Sequence, residues 1–140
     1  MIVYDAENQV LGRLSSTIAK QLLKGENVTI VNCEKAVISG SPKDTEGKYK
    51  EKIKRGDVFH GPYFPRTPDG IFRRTVRGML PWDRPKGRKA YKNLKVFIGV
   101  PEKLKNKQMV KTKDADANKL KCKSINIGKL SISLGAKKRW

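Results

Sequence analysis

Seven cations fall within seventeen residues of this chain: Arg73, Arg74, Arg77, Arg84, Lys86, Arg88 and Lys89. Guanidinium forks match phosphate oxygens two at a time, and lysine adds a mobile point charge. Rings are interleaved with the cations. His60, Tyr63 and Phe64 lead up to Arg66, and Trp82 stands two residues before Arg84. Ring and cation together suit nucleic acid, with rings stacking on bases and cations tracking the backbone. The same rings serve equally well as packing beneath a loop. Glycine and proline in these stretches allow close backbone approach and keep extended arms stiff. The expected nucleic-acid contacts are therefore His60, Tyr63, Arg66, Arg73, Arg74, Arg77, Arg84, Lys86, Arg88, Lys89 and Lys92, with the tail Lys137, Lys138 and Arg139.

Other chemistries find little support. The connection DAENQVLGRL has one glycine and no GxGxxG, so the dinucleotide fingerprint is absent. Gly40 and Gly47 stand too far apart for a phosphate loop, and Tyr49 occupies the place of its Ser or Thr. Asp5 ends a first predicted strand, but a lone acid there is more often a turn former, and Asn32 follows the second strand. No GxSxG elbow exists. His60 is the single histidine, and Cys33 and Cys122 form no CxxC. Cys33 reads as a small buried hydrophobe, and the cysteine usage fits a reducing compartment. No catalytic group, metal or cofactor is expected, and no small-molecule substrate. The opening MIVYDAENQV lacks a secretory pattern, and no apolar run is long enough to span a bilayer.

The elements that must position the cations can be read from periodicity. Ile2–Asp5 and Val28–Val31 are short apolar runs suited to buried strands. Between them Leu11, Leu14, Ile18 and Leu22 form a helical stripe, and Gly25 stands where a left-handed cap would end it. Residues 34–40 fit a turn of helix or a strand. Residues 41–55 predict a charged helix anchored by Tyr49 and Ile53, and residues 56–70 an irregular loop. Thr67, Pro68 and Asp69 give a helix start, and the helix is expected to reach Leu80. Phe72, Val76 and Met79 would share its packed face, with Arg73, Arg74 and Arg77 on the other side. Pro81–Lys92 predicts a basic loop finishing as a short helix, and Lys95–Ile98 a third strand. Residues 101–123 hold eight lysines and predict a surface excursion, whereas Ile125–Leu134 alternate as strands do.

The charge follows this division. At 140 residues and 37% hydrophobic content the chain has room for one domain with one modest core. Residues 1–40 are electrically neutral, while residues 61–140 carry +17 of the net +19. A like-charge excess confined to part of a compact fold raises self-repulsion that an anionic partner relieves. No RRM, KH, OB or zinc-finger pattern is present, so reading of nucleic-acid shape and backbone by loops is expected. The alternative is the helix over 68–80 in a DNA major groove, but no helix-turn-helix precedes it at the expected spacing.

VNCEKAVISG (31–40) followed by Lys43, VRGMLPWDRPKGRKAYKNLKVFIG (76–99) and IVYDAENQVLGRLSSTIAKQLL (2–23) resemble the universal large-ribosomal-subunit protein 13 family. GPYFPRTPDGIFRRTVRGMLPW and the ending LGAKKRW look like its archaeal branch. The resemblance covers nearly the whole chain. It implies a three-layer α/β/α fold around a four-stranded parallel sheet with long basic loops, residues 1–140 forming one domain. It also implies contacts with large-subunit rRNA and neighbouring ribosomal proteins, presence early in assembly, and a cytoplasmic, ribosome-bound location. Lys43 and Lys95 join the expected RNA contacts on this ground, and Arg77, Gly78, Met79, Pro81 and Arg88 match the family's basic central motif. Around Gly128–Leu134 the resemblance implies a helix after a strand near Ile125, against the alternation.

Overall fold

A computed structural model describes all 140 residues. Strand β1 is Ile2–Asp5 and helix α1 is Leu11–Leu23, its predicted stripe buried. Gly25 follows at φ +95°, the left-handed turn expected after the helix. Strand β2, Val28–Val31, is buried throughout and lies parallel to β1, with Tyr4 opposite Ile30. Residues 34–40 take both readings in turn. A 3-10 turn at Cys33–Lys35 leads into the short strand β3, Val37–Ser39. Cys33 is fully buried, as a small hydrophobe would be.

The basic part begins with helix α2, Pro42–Lys54, whose Tyr49 and Ile53 pack against the core as predicted. No helix or strand occupies the stretch from Gly56 to Arg66. Helix α3 is Pro68–Gly78, helix α4 is Pro85–Lys92 and strand β4 is Leu94–Val96. β4 ends sooner than the expected Ile98. The Phe97 N–H still donates to the Ile30 carbonyl at 2.9 Å, but Gly99 at φ +64° turns the chain away.

Two expectations are corrected here. Residues 101–123 are not merely a surface excursion, because Met109–Val110 forms strand β5 and pairs with β1, Val3 opposite Met109. Leu104 and Ala115 from the same stretch are buried. An edge strand needs few apolar residues, so the surrounding lysines hid it. Nor do residues 125–134 form strands beyond Asn126. Strand β6, Ser124–Asn126, pairs antiparallel with β3, and helix α5, Ile127–Ser133, follows as the family resemblance implied. Ile127, Leu130 and Leu134 are buried whereas Ile132 is 49% exposed, so the helical period prevails over the alternation.

The main sheet is four-stranded and parallel, in the order β4-β2-β1-β5. On one face Tyr4, Val28 and Ile30 meet the buried side chains of α1, α3, α4 and α5 in the principal core. On the other, Val3 and Val31 pack with Leu104 in a smaller cluster. Phe72 of α3 is fully buried in the principal core, so α3 is fixed rigidly to the sheet. That anchoring decides where its arginines point.

Candidate nucleic-acid interface

α3 starts where its spacing predicts, with Thr67 at the N-cap, Pro68 in the first turn and Asp69 beside it. The Thr67 hydroxyl makes no capping bond. The packed face differs at one position. Phe72 and Val76 are buried together with Ile71, but Met79 is 41% exposed and Leu80 enters the core instead. The helix ends at Gly78, two residues short of expectation, because Pro81 cannot continue it and the chain unwinds ahead of it. Met79 therefore leaves the helical period that would have turned it inward.

Opposite the buried face, Arg73, Arg74 and Arg77 each lie over an aromatic ring. Arg73 sits 5.3 Å from the Tyr91 centroid, Arg74 4.5 Å from Phe64 and Arg77 4.2 Å from Trp82. Each contact contributes about 0.5–1 kcal/mol at an exposed site. Their larger effect is geometric. A stacked guanidinium has a fixed plane, which leaves its N–H edge free for a planar or tetrahedral anion. Arg74 also donates through Nη1 to the Tyr63 carbonyl at 3.1 Å, tying the loop to the helix.

The turn from Pro81 into α4 is held equally firmly. Arg88 donates from Nε to the Trp82 carbonyl at 3.0 Å and from Nη2 to the Asp83 carbonyl at 3.3 Å. The Trp82 and Tyr91 rings meet edge to face at 5.3 Å. A Cβ at Gly87 would overlap the Pro81 carbonyl, so only glycine lets α4 approach the turn this closely.

The fold thus gathers part of the expected set and scatters the rest. Arg73, Arg74 and Arg77 share an open cleft with Tyr91, and Lys86 and Lys89 line another with Lys24 at the end of α1. Lys137 and Arg139 meet the start of α3 beside Phe97. Lys43 on α2, His60 in the loop, Lys92 at the end of α4 and Lys95 on β4 are exposed but line none of these clefts. Arg66, Arg84 and Lys138 are exposed as well.

Sequence reasoning left open whether the rings pack or stack, and they divide. Phe64 packs against the core and meets Tyr49 edge to face at 5.4 Å. Tyr63 is 65% exposed, and its hydroxyl donates to the Val58 carbonyl at 3.1 Å. The ring partners were not legible. Trp82 accompanies Arg77 rather than Arg84, and Phe64 accompanies Arg74 rather than Arg66. Lys52, 5.0 Å from Tyr49 and 5.7 Å from Phe64, was missed altogether. Such pairs join separate elements, so no local spacing announces them.

At the carboxyl ends of β1, β2 and β5, where open parallel sheets ordinarily hold ligands, this chain places its own ion cluster. Asn32 donates from Nδ2 to Asp5 Oδ1 at 2.9 Å, and Lys111 Nζ lies 3.2 Å from Asp5 Oδ2 and 3.6 Å from Glu7 Oε2. Lys35 Nζ lies 2.8 Å from Glu7 Oε1. Burial pushes the Asp5 carboxyl up, but Asn32, the Glu7 N–H and Lys111 together outweigh it and hold it below the usual range. The bond from Lys35 likewise lowers Glu7. No group of three or more His, Cys, Asp or Glu is arranged to hold a metal, and no helix is long and apolar enough to cross a membrane.

Comparison with known proteins gives a consistent result. The sequence model of the family described as ribosomal protein L13 matches residues 1–103. The large ribosomal subunit protein uL13 of Archaeoglobus fulgidus is 50% identical over 135 residues, covering 95% of this chain and 86% of that protein. The protein of the same name from Methanosarcina barkeri is 50% identical over 139 residues, covering 98% and 99%. That from Sulfurisphaera tokodaii is 44% identical, covering 96% and 94%.

Proposed function

This chain belongs to the ribosomal protein L13 family, whose members are structural components of the ribosome and not enzymes, and from that premise we propose that it binds large-subunit rRNA and acts early in the subunit's assembly. The observation that carries the reading is the row of three ring-stacked arginines on α3, anchored by a buried face. Fixed guanidinium planes, with the N–H edges of Arg73 and Arg77 free and that of Arg74 partly so, suit a folded RNA backbone, where phosphates of separate strands approach one another and need a cation between them. The neutral residues 1–40 serve as scaffold, and residues 41–140 supply the contacts within the same domain. The partners are rRNA and neighbouring ribosomal proteins, and the site of action is the cytoplasmic ribosome.

The rings support the same reading. Tyr63 and Phe59 are exposed in the loop, available to bases that a folded RNA leaves unstacked. The experiment is sedimentation of particles from cells expressing a tagged chain, after a high-salt wash. The chain stays with the large subunit if it is a core component, and depletion accumulates early precursors of that subunit. A chain that washes off completely while still binding free RNA is instead a regulator working away from the ribosome.

A further inference from the structure

We propose that the cleft between α3 and the turn leading into α4 is a pocket for a single unpaired guanine base of the bound RNA, an inference that rests on the rRNA-binding reading above. The cleft is open to solvent, has a volume of about 410 Å³ and is lined by Arg74, Arg77, Trp82 and Asp83 among others, room for a single base. One face of the Arg77 guanidinium is committed to Trp82 at 4.2 Å. The plane is thereby fixed, and its second face is a platform on which a base stacks. The wall opposite does not yield, because Arg88 clamps the Trp82 and Asp83 carbonyls and α4 abuts Pro81 at Gly87.

Asp83 selects the base. Its carboxylate makes no hydrogen bond or ion pair within the protein, although residues 61–98 hold ten cations against two acids. On a surface built for phosphate alone, an unpaired carboxylate repels the ligand. An ionised carboxylate only accepts hydrogen bonds, so its partner must be a donor. Guanine presents two adjacent donors, N1–H and the N2 amino group, to both carboxylate oxygens at once. Adenine and cytosine place a ring-nitrogen acceptor beside their amino group, and uracil flanks its one N–H with carbonyls. The N–H edge of Arg77 and the Arg74 N–H groups not bonded to the Tyr63 carbonyl remain for the nucleotide's phosphate.

The test is titration of the full chain with GMP, IMP, AMP, CMP and UMP, followed through the indole N–H resonance of Trp82 with Trp140 as internal reference. GMP is expected to shift Trp82 and to bind tighter than AMP, CMP or UMP by about fivefold or more. IMP, which lacks the amino group, falls between. Asp83→Asn brings the nucleotides to within about twofold of each other. No shift of Trp82 with any nucleotide, equal binding of all five, or a guanine preference that survives in Asp83→Asn overturns the pocket. In those cases salt-dependent rRNA binding by the unaltered chain still stands or falls on its own measurement, so failure of the pocket is distinguishable from failure of the rRNA reading.

Discussion

Arg73 and Arg77 reach solvent on the side of α3 opposite its buried residues, and their contacts within the protein are ring faces. Replacing both with alanine removes two exposed cation–ring contacts and leaves no buried group unsatisfied. The expected loss of stability is about 1–2 kcal/mol in all, whereas each charge-assisted phosphate bond lost costs about 1.5–3 kcal/mol of binding. Thermal unfolding and rRNA titration of the double variant separate the two effects. A variant that fails to fold assigns those arginines to structure. Asp5 presents the reverse case, a buried acid whose bonds are all internal. Its folded-state pKa lies below its unfolded value of about 3.9. The stabilisation is therefore present above that value and is lost as pH falls through the folded-state pKa. Asp5→Asn should cost about 1–3 kcal/mol at neutral pH and flatten the fall of stability in acid, as urea denaturation across a pH series would show. An unchanged acid slope would mean that Asp5 is not among the groups responsible.

At the scale of elements, two glycines of the basic segment make opposite predictions. Gly87→Ala drives a methyl into the Pro81 carbonyl, so α4 must move or the turn must open. The expected cost is about 1–3 kcal/mol, with a change in Trp82 fluorescence because its Tyr91 and Arg88 contacts shift. Gly78 closes α3 with nothing within 4 Å of an added Cβ. Gly78→Ala should stabilise the free protein by about 0.5–1 kcal/mol. If rRNA affinity falls in that more stable variant, the glycine is there for close approach of the RNA. These contacts also show what the sequence discloses. The stripe of α1 was legible because burial of one helical face writes a period of three and four into the chain. The start of α3 was legible from Thr67, Pro68 and Asp69, yet its end was not, since Met79 fits the period that the helix abandons at Gly78. β5 left almost no pattern because it is two residues long. The arginines were visible as a cluster, but their rings come from the loop, the turn and α4, and pairing across elements follows from the fold alone.

The charge of the whole molecule is arranged around the sheet rather than spread over it. α3 packs into the principal core on one face, beside β4. Leu104 packs with Val3 and Val31 on the other, so Lys103 and Lys105 flank a residue of the opposite face and Lys107 lies between it and β5, the far edge. Two groups of cations thus look in different directions, and only the α3 side combines them with fixed planes, rings and clefts. Salt dependence distinguishes them, because each phosphate neutralised lowers log affinity by about 0.7–0.9 per log unit of salt. With about six phosphates engaged, the unaltered chain should bind large-subunit rRNA with a slope of about −4 to −5. Arg73→Ala with Arg77→Ala should reduce that slope by about 1.5–2. Glutamine at Lys103, Lys105 and Lys107 removes more charge, and on Coulomb attraction at a distance alone it would matter more. At physiological ionic strength, however, screening confines the effect of an exposed charge to about 8 Å, so lysines on the opposite face should leave the slope within about one unit of the unaltered value. A drop of two or more would place RNA on both faces of the sheet, and the lysine-rich stretch would then be a second contact surface rather than one facing water.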